Sequence, residues 1–149
     1  MKVYIGIDPG KSGAMAIIHA DDSVEVIPYD LVNYSSALAK VSRGPHSVTC
    51  CVEKVNAMPG QGVVSMFNFG HNLGLIEGLL TGYEIPYQLV PPQTWKKEFS
   101  LSSDKAKSIE VCQKLFPGVS LLATPRSRKP NDGMAEALLL AEYARRRKM

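Results

Sequence analysis

No apolar run in this chain approaches the roughly 20 residues that a membrane-spanning helix needs, and no tract of low complexity, internal repeat or linker interrupts it. Cysteine is scarce. The three are Cys50, Cys51 and Cys112, an odd number with no C-x-x-C spacing. That pattern argues against a disulfide framework and against a thiolate zinc site, and leaves buried, reduced thiols as the expectation. The three histidines, His19, His46 and His71, form no pair at metal-ligand spacing. An acidic residue at position 8 falls too early for a secretory leader, so a cytoplasmic protein is expected. Charge of one sign is also lacking. The formal net charge is +3 and the pI about 8.8, which permits a nucleic-acid partner without requiring one.

What the chain does contain is an ordinary globular mix of 45% hydrophobic and 21% charged residues over 149 positions, enough for one domain with a real core. Residues 2–8, "KVYIGID", read as a buried strand, and "PGKSG" as a turn. "AMAIIHA" and "SVEVIPY" then read as two further strands, so the first three form an antiparallel meander. "NYSSALAKVSR" has helical spacing and stops at Gly44-Pro45. "SVTCCVEKV" is apolar on both faces, which suits a central parallel strand. Residues 63–80 form a long helical pattern in which Val64, Phe67, Leu75 and Leu79 are expected to face the sheet. Gly70, Gly74 and Gly78 line one side of it, read as tight packing against the sheet or as the seat of a partner helix. "EIPYQLV" is a fifth strand, "PPQTWKKEF" a short helix, "SSDKAKSIEVCQKLFP" a capped helix and "NDGMAEALLLAEYARRR" the last. The order implies an α/β three-layer domain, a mixed five-stranded sheet flanked by helices.

Four acids stand where acids are not expected. Asp8 and Glu53 each close a buried strand, and strand ends are where chemistry often sits in sheets of this kind. Asp132 and Glu136 are four apart on the final helix and share a face. Leu139 and Tyr143 continue that stripe while Met134, Leu138 and Ala141 cover the other side, so the helix is expected to be covered on more than one side. Carboxylates brought together in such a setting repel and lose hydration, and need a proton, a basic residue or a metal. Each acid taken alone also fits a bland role, as a turn former, a strand-end charge or a helix-start acid favoured by the macrodipole. Together, an all-oxygen cluster favours a hard cation such as Mg2+ or Mn2+, and two such ions suit in-line attack on a phosphodiester.

"GIDPGKSG" looks at first like a phosphate-binding loop. That motif needs four residues between its first glycine and the Gly-Lys pair, and a helix after it. Here Gly6 and Gly10 enclose Ile7, Asp8 and Pro9, and a strand follows, so no nucleotide cofactor is expected.

"IGIDPGKSGAMAII", "VEKVNAMPGQGVVSMFNFG", "PPQTWKKEF", "DKAKSIEVCQKLFP" and "NDGMAEALLLAEYARR" resemble, in order, the RuvC-like Holliday junction resolvases, most of all their phage-associated and Gram-positive branch. The resemblance runs from Val3 to about Arg146. It implies a single RNase H-like nuclease domain over 1–149, homodimeric, in a bacterial or phage-infected bacterial cytoplasm. The implied activity depends on Mg2+ or Mn2+, with two ions per site. It nicks opposed strands of a four-way junction and leaves 5'-phosphate and 3'-hydroxyl ends. Asp8, Glu53, Asp132 and Glu136 resemble the family's metal-binding acids, although many members space the last two three apart. Lys105 resembles a lysine near the scissile phosphate. His71 is a second residue that could neutralise charge there if it pointed inward, although a helix-surface role suits it better.

Phosphate backbones would be held by Lys11, Lys54, Lys96, Lys97, Lys107, Arg126, Arg128 and Lys129. Where well-studied bacterial members carry an aromatic three residues after the glutamate, this chain has Asn56, so junction opening would fall to Met58 or Phe67 and cut-site preference does not carry over. Trp95, the sole tryptophan, is expected in the core or as an interface anchor. An ATPase of the sugar-kinase or actin kind would need two such domains where 149 residues supply one, and the presence of all four acids argues against an idle DNA-binding module of the same fold; the runner-up is a related nuclease of that fold acting on another nucleic acid.

Overall fold

Alternation of β-branched residues, broken by short turns, produces the three-stranded meander that opens the fold. The computed structural model describes residues 1–55 and 60–149; Asn56 and Met58 lie outside the described residues. Strands β1 (Lys2–Asp8), β2 (Ala14–Ile18) and β3 (Val24–Pro28) pair antiparallel, with Asp8 opposite Ala14. Helix α1 (Leu31–Ser42) follows, its first turn capped by the Asp30 carboxylate, which accepts from the Asn33 N–H. Strand β4 (Ser47–Glu53) then runs parallel to β1, and β5 (Tyr87–Val90) parallel to β4, giving the order β3-β2-β1-β4-β5. Between them lies α2 (Val63–Gly82), and after them α3 (Pro92–Glu98), α4 (Lys105–Leu115) and α5 (Asp132–Arg146). The expected mixed five-stranded sheet between helical layers is what the chain forms, with boundaries shifted by one to three residues.

The two faces of the sheet bury different halves of the sequence. Ile5, Ile7, Met15, Ile17, Cys50 and Val52 meet Tyr34 and Leu38 of α1 and Ile76 and Leu80 of α2. Ala14, Ala16, Ile18 and Cys51 meet α5, with Trp95, Phe99 and Cys112 filling in behind it. Helix α5 is buried on every side from Gly133 to Ala144, as its all-round apolar pattern suggests. It is wedged between the sheet and α3 and α4. All three cysteines are free and buried. No helix of the described residues is long and apolar enough to cross a membrane.

Gly6 explains how closely α5 approaches. A Cβ there would overlap the Ala137 carbonyl oxygen and the Ala141 nitrogen, both backbone atoms that cannot step aside. Gly6→Ala is therefore expected to destabilise the protein by about 3 kcal/mol, the upper end for overpacking. The thermal midpoint would fall by roughly 10 °C. An unchanged midpoint would mean that α5 can lift off β1.

The long helix α2 is rotated from expectation. Its buried residues are Asn72, Ile76 and Leu80. Val64, Phe67 and Leu75, expected against the sheet, are exposed, and only Leu79 packs toward it. Nor do Gly70, Gly74 and Gly78 pack tightly, since a Cβ at any of them would meet nothing within 4 Å. The cause is composition. Apolar residues encircle α2, so periodicity does not single out one face.

Candidate metal centre

Parallel pairing of β1 and β4 is what brings the first two acids together. Ile7 lies beside Val52 in the register, so the next residues, Asp8 and Glu53, leave the sheet side by side at the same edge. The turn after Asp8 is compact. Gly13 donates to the Gly10 carbonyl at 3.2 Å, Gly10 adopts a φ of +128°, and a Cβ on Gly13 would overlap the Asp8 carbonyl. The first turn of α5 rests on this turn, because a Cβ on Gly133 would overlap the Ser12 carbonyl oxygen. Asn131 caps that helix, its side-chain oxygen accepting from the Met134 N–H at 3.0 Å. One turn inside, Glu136 is carried over the ends of β1 and β4.

Asp8, Glu53 and Glu136 each place a carboxylate oxygen within 4.8 Å of the others. Glu53 and Glu136 are buried, and Asp8 is half-buried. Burial first, then the charges of Glu53 and Glu136, a hydrogen bond with Glu136 and the charge of Asp132, push the Asp8 carboxyl up to about 9. Glu53 is raised too, by burial and by Glu136, against the opposing pull of a hydrogen bond from Trp95 and of Lys96 and Lys105. Lys96 stands 3.8 Å from Glu136. The site is short of positive charge at neutral pH. Three converging hard oxygens and this shortfall fit a divalent cation such as Mg2+ or Mn2+.

Asp132 is not one of the three. It sits at the rim, where the exposed Lys105 ammonium contacts it at 3.1 Å, and the hydrogen bond and charge of Asp132 raise the Lys105 pKa. Of the two final-helix acids, the inner one joins the cluster because its side chain points to the sheet edge while Asp132 meets Lys105 of α4.

Most of the basic residues expected to meet DNA are exposed. Lys11 projects from the β1–β2 turn and Lys54 directly follows Glu53; both are exposed. Lys96 and Lys97, with Gln93, Ser102 and Ser103, line a groove of about 600 Å3. Arg126, Arg128 and Lys129 are exposed on the loop before α5, which is closed by the Asn131 N–H donating to the Leu121 carbonyl at 2.7 Å. Lys107 is exposed and 3.9 Å from Glu110 of its own helix. His71 stays on the surface of α2, stacked on Phe67 with ring centroids 6.4 Å apart.

Sequence reasoning missed one member of the site. Trp95 is fully buried, as expected of a core residue, yet its indole N–H also donates to Glu53 Oε2 at 2.9 Å. The signal available was a single tryptophan next to a lysine on a helix starting with proline, which does not reveal a contact 42 residues away.

No family model and no curated protein matches the chain. Solved structures do. The structure of Thermus thermophilus RuvC in complex with a Holliday junction substrate superposes with a TM-score of 0.65 at 14% identity, over 99% of this chain and 96% of that one. A second Thermus thermophilus RuvC structure gives 0.62 at 15% identity, over 98% and 96%. The chain has the RuvC-type RNase H-like fold from end to end.

Proposed function

We propose that this chain is a divalent-metal-dependent endonuclease, a single RNase H-like nuclease unit that resolves four-way DNA junctions by paired nicks leaving 5'-phosphate and 3'-hydroxyl ends. The observation that carries the reading is the convergence of Asp8, Glu53 and Glu136 at one sheet edge of a RuvC-type fold. These three would hold the cations, with Asp132 completing the set on its outer side. Two bound divalent ions would supply an attacking water of lowered pKa and stabilisation of the leaving 3'-oxygen. Carboxylates suit that task because they bind hard ions through oxygen. Lys105 would neutralise charge building on the phosphate. It can do so by leaving Asp132, since an exposed pair of this kind contributes little and exchanges readily. Lys11, Lys54, Lys96, Lys97, Lys107, Arg126, Arg128 and Lys129 would hold phosphate backbones, giving affinity that falls steeply with salt and reads no sequence. The five ordered motifs support the phage-associated and Gram-positive branch.

The test compares cleavage of a synthetic four-way junction with cleavage of linear duplex, flap and RNA–DNA hybrid in Mg2+ or Mn2+. Paired nicks confined to the junction are expected. Equal cutting of linear duplex would end the resolvase reading, and preference for the hybrid would move the activity to another nucleic acid.

Two opposed nicks require two sites, and α2 offers the surface for a second copy. Val63 is 84% and Phe67 73% exposed. Gly70, Gly74 and Gly78 continue an open face that lets another backbone approach closely. The protein is expected to run at twice its 16.3 kDa chain mass by light scattering at micromolar concentration. Phe67→Glu should return it to the mass of one chain. A wild-type mass of one chain would remove the dimer.

A further inference from the structure

We propose that Trp95 is a positioning residue for the metal centre, its indole N–H holding the Glu53 carboxylate in the orientation that a cation between Asp8, Glu53 and Glu136 requires. The proposal rests on the reading of those three acids as metal ligands.

Bulk alone does not explain the residue. Trp95 is 0% exposed, and a Phe would still fill most of its place in the core behind α5. What Phe lacks is the donor. The indole Nε1 lies 2.9 Å from Glu53 Oε2, a buried N–H meeting a buried carboxylate, and each would be left short of a partner without the other. Glu53 has a flexible side chain beside the Asp8 and Glu136 carboxyl groups, all within 4.8 Å. Repulsion from Glu136 alone would swing it away. The bond to Trp95 ties down one carboxylate oxygen and thereby fixes where the other points.

Trp95 is itself well anchored. Helix α3 begins at Pro92, and the Thr94 and Trp95 N–H groups both donate to the Pro91 carbonyl, at 3.0 and 3.4 Å. The next residue, Lys96, places its ammonium 5.6 Å from the centre of the indole ring and 3.8 Å from Glu136. One short helix therefore touches two of the three clustered acids, one by a neutral hydrogen bond and one by charge. Partners that hold a metal ligand from behind in this way usually matter nearly as much as the ligands.

The experiment is Mn2+ binding to the full chain, followed by the electron paramagnetic resonance of free Mn2+, for wild type, Trp95→Phe and Leu121→Ala. Leu121 is buried in the same core and is none of the clustered acids, so its truncation tests general loosening. Trp95→Phe should bind Mn2+ about 10- to 100-fold more weakly, and Leu121→Ala should bind as wild type does even though it melts lower. Equal Mn2+ binding by Trp95→Phe and wild type overturns the proposal, as does an equal loss in Leu121→Ala.

A second readout does not depend on any variant folding. Trp95 is the sole tryptophan, so wild-type fluorescence reports on it alone. Paramagnetic Mn2+ at the cluster should quench that emission with the same midpoint as the resonance titration. Mn2+ that binds without quenching overturns the positioning role. Wild-type protein that binds no Mn2+ overturns the metal reading itself, and this proposal with it.

Discussion

Asp8→Asn is expected to cut a four-way junction about 1,000-fold more slowly than wild type while still binding it. A metal that activates water and leaving group contributes several kcal/mol to the transition state, and each tenfold in rate is about 1.36 kcal/mol. Asn keeps the volume and the turn but supplies only a weak neutral ligand. Binding is expected to survive because it would depend on exposed cations outside the cluster, such as Lys97, Arg126 and Arg128. Single-turnover cleavage in Mg2+ and mobility shifts of the same junction in chelator separate the two effects. A variant cutting within about tenfold of wild type would show that Asp8 holds no metal ion.

The same substitution should make the metal-free protein more stable, by an amount that grows with pH. The Asp8 carboxyl is pushed from 3.8 to about 9 by burial and by Glu53, Glu136 and Asp132. An acid whose folded pKa lies above its unfolded one binds more protons in the folded state, so stability falls as pH rises between the two values. Glu53 is shifted in the same direction and adds to the slope. In chelator, wild type is therefore expected to be at its best below about pH 4 with respect to these groups and to lose a few kcal/mol by pH 8. Asp8→Asn loses less, so at pH 8 it should melt above wild type by roughly 5–10 °C, with the gap closing toward pH 4. Saturating Mn2+ should raise the wild-type midpoint and move the variant much less. Parallel melting curves for the two proteins across pH 5–8.5 would mean that Asp8 is not electrostatically stressed.

Much of the architecture was legible because the signals are local. Turn residues at Pro9-Gly10 and Gly44-Pro45, alternation in the meander and the capped start of α4 at Asp104 act over a few residues. Asp8 and Glu53 were visible as acids ending buried runs, and parallel strands with matched ends put them side by side. Helix α5 was legible because Met134 to Ala144 is apolar except at Glu136 and Glu142, which implies burial on more than one side.

Helix α2 was not legible for the opposite reason. Its apolar residues surround it, so Val64 and Phe67 looked as fit for the core as Ile76 and Leu80. Which face is buried follows from where the helix is hung between β4 and β5. The ranking of Asp132 and Glu136 was equally hidden. Both share a face, and the outer one is drawn aside by Lys105, a residue of another helix.

The amino-acid sequence alone determined the strand and helix order and the three-layer class, and set apart four acids by their place at strand ends and a helix start, because periodicity, capping and turn chemistry operate within one or two turns of chain. Only the tertiary structure decided that Glu136 joins Asp8 and Glu53 while Asp132 stays at the rim, that α2 shows its apolar side to solvent, and that Trp95 holds Glu53. Those are contacts between segments distant in sequence. They are set by how closely backbones approach, at Gly6 and Gly133 above all, and by which buried donor has a buried acceptor within reach.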